Sequence, residues 1–199
     1  MRRLAVVGCV LLGLAGLSGA CKSATVSAPN AVGKERPRYA ITVTHSGRSI
    51  GEILVELFPE VAPLHCVNFD SLVNVGFYDG TAFHRIVPGF VIQGGDPNSK
   101  TKPRETWGFG DPLQRRIPAE FNHLSHKRGI VSAARSSDPN SATSQFFICL
   151  VDVPQLDGKY TVFGQVVSGM DVVDAIAAVP RDARDNPLEK VEMRIRRLR

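Results

Sequence analysis

The chain has 199 residues, 43% of them hydrophobic and 22% charged, with a formal net charge of +5. That length favours one domain with a core of its own, and the composition excludes collagen-like, low-complexity and disordered classes. Arg2 and Arg3 supply two of the positive charges at the extreme N-terminus, so the remainder carries about +3, too little to point to nucleic acid as a partner.

Residues 1–20 do not read as part of a fold. A basic start, an apolar run from Leu4 to Leu17 and then small residues form the three-part layout of an export signal, and the run is shorter than the roughly 20 residues of a spanning helix. The ending "SGAC" resembles the bacterial lipoprotein signal. That resemblance implies cleavage before Cys21, diacylation of its sulfur and attachment to a membrane without a spanning helix; a plain secreted form and an uncleaved anchor are the alternatives. Residues 21–37 are rich in Ser, Ala, Pro and Lys with little bulky apolar content, a flexible tether. The expected location is the bacterial cell envelope, lipid-anchored and facing the periplasm or exterior.

The domain is expected over 38–199. "YAITVTHSG" alternates Ile41 and Val43 with threonines, and "GEILVELF" follows the turn "SGRS", which predicts a β-hairpin. In "PEVAPLHCVNFDSLVNVG" Leu64, Val67, Asn68, Leu72 and Val75 fall at helical steps, with Pro63 in the first turn and Gly76 as the stop. "TAFHRIV" and "FVIQGG" are short strands about the turn "PG", and Asp96 to Pro118 reads as a long polar loop. "GIVSAA", "SQFFICL" and "YTVFGQVV" are further strands. A second helix has Ser168 and Asp171 as a capping-box-like pair and Met170, Val173, Ile176 and Ala177 as its apolar face. "EKVEMRIRRL" alternates Val191, Met193 and Ile195 as a closing strand, and its basic end reads as a solvated terminus. Many short strands with two helices predict a mainly β fold, a closed barrel with helical caps and no free edge.

Conventional chemistry finds little support. No "GxSxG" elbow is present, and no cysteine lies in an activated setting. Cys66 and Cys149 sit in apolar contexts and read as buried free thiols, although an oxidising compartment permits a bridge. "HLSH", His123 to His126, reads as surface histidines rather than a metal site. "GFGDP" lacks the Lys-Ser/Thr ending of a phosphate loop.

Three stretches remain: "FHRIVPGFVIQGGD", "PNSATSQFFI" and "LDGKYTVFG". In order and spacing they resemble the signature stretches of the cyclophilins, the peptidyl-prolyl cis–trans isomerases, over about Tyr39 to Leu198. The resemblance implies an eight-stranded antiparallel barrel capped by two helices, with a groove on its outer face and no cofactor or metal. It implies Arg85 as catalytic arginine and Gln93 as the residue that orients it and touches substrate backbone. Phe90, Phe147 and Leu156 are implied as walls of a proline pocket, with Val91, Ala134, Gln145 and Tyr160 as further groove residues. Val91 and Ala133 stand where methionine is common in the family, Arg135 near a usual Asn, and Tyr160 for a frequent His. Gln155 replaces the Trp of cyclosporin-sensitive members, so weak cyclosporin binding is expected. The expected partners are proline-containing, unfolded or flexible polypeptides, met by a monomer. A proline-recognising chaperone or binding module, in which turnover is secondary, is the rival reading.

Overall fold

A computed structural model describes residues 36–199 of the chain. The expected signal at 1–20, Cys21 and nearly all of the tether lie outside the described residues. The strands are β1 (Arg38–His45), β2 (Arg48–Leu57), β3 (Thr81–Val87), β4 (Val91–Gly94), β5 (Ile130–Ala133), β6 (Phe146–Cys149), β7 (Val162–Ser168) and β8 (Val191–Arg197). They close into one antiparallel barrel in the order β1-β2-β7-β5-β6-β4-β3-β8. Each strand expected from the sequence is present, and the β1–β2 hairpin turns tightly, with His45 paired to Arg48.

The interior follows from period-two alternation. Ile41 and Val43 of β1, Val191, Met193 and Ile195 of β8, and Ile92, Phe146 and Ile148 of β4 and β6 are all buried in one cluster. Closure matters for β1 and β8, the first and last strands: they pair from Tyr39↔Arg197 to His45↔Val191, so neither presents an open edge.

Among the described residues three helices accompany the barrel, one more than expected: α1 (Pro63–Asn74), α2 (Asn98–Thr101) and α3 (Met170–Ala177). Pro63 opens α1 as anticipated. Beyond its end Gly76 N donates to Val73 O and Phe77 N to Leu72 O, the paired bonds that close a helix at glycine.

The buried face of α1 differs from the expected one. Leu64 is 48%, Val67 65% and Val75 76% exposed, while His65, Cys66, Phe69 and Val73 are buried. The aliphatic spacing misled because aromatic packing decides the rotation. Phe69 meets Tyr39 at 5.2 Å, Tyr78 at 5.2 Å, Phe146 at 5.8 Å and Phe163 at 5.8 Å. His65 can be buried beside them because its Nδ1 lies 2.6 Å from Glu120.

In α3, Val173 and Ile176 face the core as expected, but Val172 joins them, and Met170 and Ala177 lie at its edge. No capping box forms. Ser168 ends β7, and Gly169 is the residue before the helix, with no side-chain cap. Cys66 and Cys149 are free and buried, and burial pushes each thiol up to about 12.

The long segment after β4 is more ordered than a polar loop. Asp96 is fully buried; its carboxylate accepts from Asn98 N at 3.0 Å and closely from Gly108 N. Asn98 Nδ2 donates to Thr106 O at 3.2 Å and Gly110 O at 2.8 Å. Two buried side chains therefore pin residues 98–110 against the barrel.

Candidate active site

A register shift in β3 decides where Arg85 goes. Phe83 pairs with Gly94 and Arg85 with Gln93, so two β3 residues, His84 and Arg85, occupy the space of one on β4. Strict alternation would turn Arg85 to the same side as Phe83, into the apolar interior. The extra residue reverses the alternation, as a bulge does, so Phe83 and Ile86 both point inward while Arg85 is only half-buried.

Arg85, Gln93, Phe147 and Ser132 then form one row across β3, β4, β6 and β5. The interior row beside it is Ile92, Ile148 and Val131. The outward row nucleates a second apolar cluster, separate from the main core: Val91, Ala134, Phe147, Cys149 and Val153, with Phe90, Leu156 and Tyr160 packed on it.

Of the nine groove residues named from the sequence, eight line one cavity of about 150 Å³: Arg85, Phe90, Val91, Gln93, Ala134, Phe147, Leu156 and Tyr160. Gln145 lies next door, in a second cavity of about 320 Å³ that shares Gln93 and Ala134. Phe90 reaches the pocket from the turn Val87–Phe90, closed by Phe90 N donating to Val87 O at 3.0 Å. Gly89 there has φ +72°, a conformation that Pro88 before it and the turn together demand of glycine.

Polar groups are arranged around this apolar floor. Gln93 Nε2 donates to Gln145 Oε1 at 3.0 Å, and Gln145 Nε2 to Gly108 O at 3.2 Å. Gln93 Nε2 is thus committed to Gln145, and no hydrogen bond joins Gln93 to Arg85 among the described residues, a difference from the expected orienting bond. Arg85 itself has no hydrogen bond or ion pair among the described residues.

Arg135 forms part of the pocket wall: its guanidinium lies 4.4 Å from the Tyr160 ring and donates to Lys159 O at 2.9 Å. Tyr160 meets Phe147 edge-on at 5.7 Å.

Behind Phe147 lies an arrangement the sequence did not disclose. His126 is buried, correcting its reading as a surface residue, and stacks on Phe147 at 6.1 Å; only His123 of that pair is exposed. His126 Nδ1 is 2.9 Å from Asp157 and Nε2 is 3.1 Å from Ser132 Oγ, the order of a hydrolase triad. Ser132 cannot act as a nucleophile, however. It is 0% exposed, and its hydroxyl donates to Thr161 O at 2.7 Å. The trio braces the rear of Phe147. The His126 backbone N–H and ring hold the Asp157 carboxyl below the usual carboxylate range.

Sequence reading also missed His84, Trp107, Phe109 and Asn186, which line a third cavity on the far side of Arg85. The one available signal was that the only tryptophan of the chain stands in the Asp96–Pro118 segment.

A closed eight-stranded antiparallel barrel with a pocket on its outer wall, and an arginine there that is unpaired among the described residues, points to the cyclophilin class. The comparisons agree. The family described as cyclophilin type peptidyl-prolyl cis-trans isomerase/CLD matches residues 40–198. The peptidyl-prolyl cis-trans isomerase ppi1 of Schizosaccharomyces pombe is 44% identical over 145 residues, 73% of this chain and 91% of that protein. A probable peptidyl-prolyl cis-trans isomerase of Brucella suis is 47% identical over 130 residues, 63% of this chain and 66% of that one. A crystal structure of a Cryptosporidium parvum cyclophilin-type isomerase superposes with a TM-score of 0.72 at 31% identity, covering 82% of this chain and 98% of that one. This chain belongs to the cyclophilin-type peptidyl-prolyl cis-trans isomerase family and is an enzyme of that class.

Proposed function

We propose that the enzyme rotates X-Pro bonds in exported or envelope polypeptides, with Arg85 as its catalytic group and no cofactor. The observation that carries this is a half-buried guanidinium, without an ionic or hydrogen-bonding partner among the described residues, beside a pocket of about 150 Å³ walled by Phe90, Val91, Phe147 and Leu156.

Rotation about a prolyl C–N bond is opposed by amide resonance, with a barrier of about 18–20 kcal/mol for peptide bonds generally. Twisting removes the nitrogen lone pair from conjugation and makes it an acceptor. A donor held there binds the twisted state better than the planar one, which is the condition for acceleration. Phe90, Phe147, Leu156 and Val91 hold the pyrrolidine ring and exclude water, where a charged donor counts for more. Gln93, fixed through Gln145, is left to contact substrate backbone. No proton is transferred and no covalent bond breaks.

Arg85→Ala should lower kcat/KM for a short X-Pro peptide by about 10²–10³, the cost typical of removing one transition-state donor, with an unchanged melting temperature. An Ala variant of near wild-type rate sinks the assignment. Cyclosporin should inhibit weakly in the same assay, since Gln155, which stands where cyclosporin-sensitive members carry Trp, is exposed in the turn Pro154–Leu156, next to the pocket residue Leu156.

The envelope setting rests on the reading of residues 1–21. Full-length protein expressed in a bacterium should fractionate with membranes, and Cys21→Ala should move it to the soluble fraction. Wild-type protein already in the soluble fraction would remove the anchor. The clients proposed are flexible, proline-containing segments met outside the cytoplasm by a monomeric enzyme.

A further inference from the structure

Beyond Arg85 and Gln93, on the side away from Ala134 and Tyr160, lies the cavity of about 270 Å³ bounded by His84, Trp107, Phe109, Arg184 and Asn186. Two of its residues carry buried polar atoms without partners among the described residues. His84 is 1% and Asn186 7% exposed, and among the described residues neither ring nitrogen of His84 nor Oδ1 of Asn186 has a hydrogen-bond partner. Buried polar atoms left unpaired are costly, of the order of 1–3 kcal/mol each, and are uncommon without a role.

Their positions are fixed from several directions. Ile86 N donates to Asp185 O at 2.8 Å, which ties the Asn186 loop to β3. Arg104 Nη1 donates to Pro187 O and Leu188 O, each at 3.0 Å, from the other flank. His84 sits in the β3 bulge under Gly108, where a Cβ would lie 3.4 Å from its ring.

We propose that this cavity is a specificity subsite for a substrate residue flanking the X-Pro pair, and that it takes a neutral hydroxyl or carboxamide side chain: Ser, Thr, Asn or Gln. The chemistry selects that class. Asn186 Oδ1 needs a donor, and a neutral imidazole offers one donor and one acceptor, so the matching group must both give and accept hydrogen bonds. Arg85 and Arg184 on the border disfavour a cation, whereas Glu105 and the Asn186 carbonyl disfavour an anion. Burial also lowers the His84 pKa, a direction that favours the neutral ring. Discrimination of the size of one net hydrogen bond is expected, because an apolar side chain entering the site leaves the floor unpaired.

The inference rests on the isomerase reading, and the test separates the two. Rates would be measured for Ala-X-Pro-Ala-type peptides carrying Thr or its near-isostere Val at each position flanking the X-Pro pair. The subsite predicts a Thr preference of about five- to ten-fold in kcat/KM at one position, reduced to near unity in Asn186→Leu and retained in Asn186→Asp. A Thr/Val ratio near one at every position in the wild type overturns the subsite while leaving the isomerase intact.

Should no peptide be turned over, the isomerase reading fails, and the subsite is then judged by binding alone. The wild-type ¹⁵N signals of the His84 ring should move on titration with the preferred Thr peptide and stay with the Val peptide; equal responses overturn it. That measurement also decides the matter if Asn186→Leu does not fold.

Discussion

Two buried histidines set how this protein should respond to acid, while its chemistry should not respond. His84 and His65 are each held below the ordinary imidazole value chiefly by burial, against opposing pulls from Asp96 and Glu120 respectively. Between their folded and unfolded values the unfolded chain therefore binds more protons. The part of the stability that these two histidines govern is complete above about pH 6.5, the unfolded value, falls as the pH drops below it, and levels off once both folded values are passed. Thermal melts between pH 7 and 5 should show this loss, and replacing both histidines by Asn should flatten it. The rate behaves otherwise. An arginine keeps its charge throughout this range, and prolyl rotation transfers no proton. kcat/KM should be nearly level from about pH 6 to 9, and a bell centred near 7 would contradict a guanidinium mechanism.

At the scale of elements, the segment after β4 holds the two polar cavities together. Its wall residues Gly108 and Phe109 border both the Gln145 side and the His84 side of the groove, and Asn98 anchors it through Thr106 O and Gly110 O. Asn98→Ala leaves both carbonyls without that donor. A loss of about 1–3 kcal/mol is expected, together with faster amide exchange over 104–112. The pocket of Phe90, Phe147 and Leu156 is built on other elements and should survive. A small X-Pro peptide should thus lose less than a longer one, and equal losses would show that this wall does not reach the substrate. The rotation of α1 is an element-scale lesson of another kind. Its aliphatic side chains suggested one face, but Phe69, reaching Tyr39, Tyr78, Phe146 and Phe163 at once, set another.

For the whole molecule, barrel closure is what makes a thin groove rigid. Each strand beneath the active row is paired on both sides, which holds the spacing of Arg85, Gln93 and Phe147. A close approach useful as a test is between β2 and β7. A Cβ on Gly164 would stand 2.7 Å from the Glu56 carbonyl oxygen, closer than such atoms come. Gly164→Ala must therefore push the two strands apart. It should lower the melting temperature by several degrees, as a loss of one or more kcal/mol does in a domain of this size, and slow turnover as well, although it lines none of the three groove cavities.

How much of this was legible beforehand depends on the range of the interactions involved. Strand positions, the hairpin, the Pro63 start and Gly76 stop of α1, and the alternation in β8 follow from local sterics and period-two patterning, so the chain alone determined them. The three long motifs likewise named Arg85, Gln93 and the pocket walls before any geometry was known. Other features needed partners distant in sequence, and only the tertiary structure decided them. The outward turn of Arg85 depends on the register of β3 against β4. The burial of His126 depends on Asp157, 31 residues away, and the floor of the His84 cavity on a loop some hundred residues further along. A side chain's type fixes what it can do chemically. Which way it points, and what it meets there, is settled by pairing and packing that no local stretch contains.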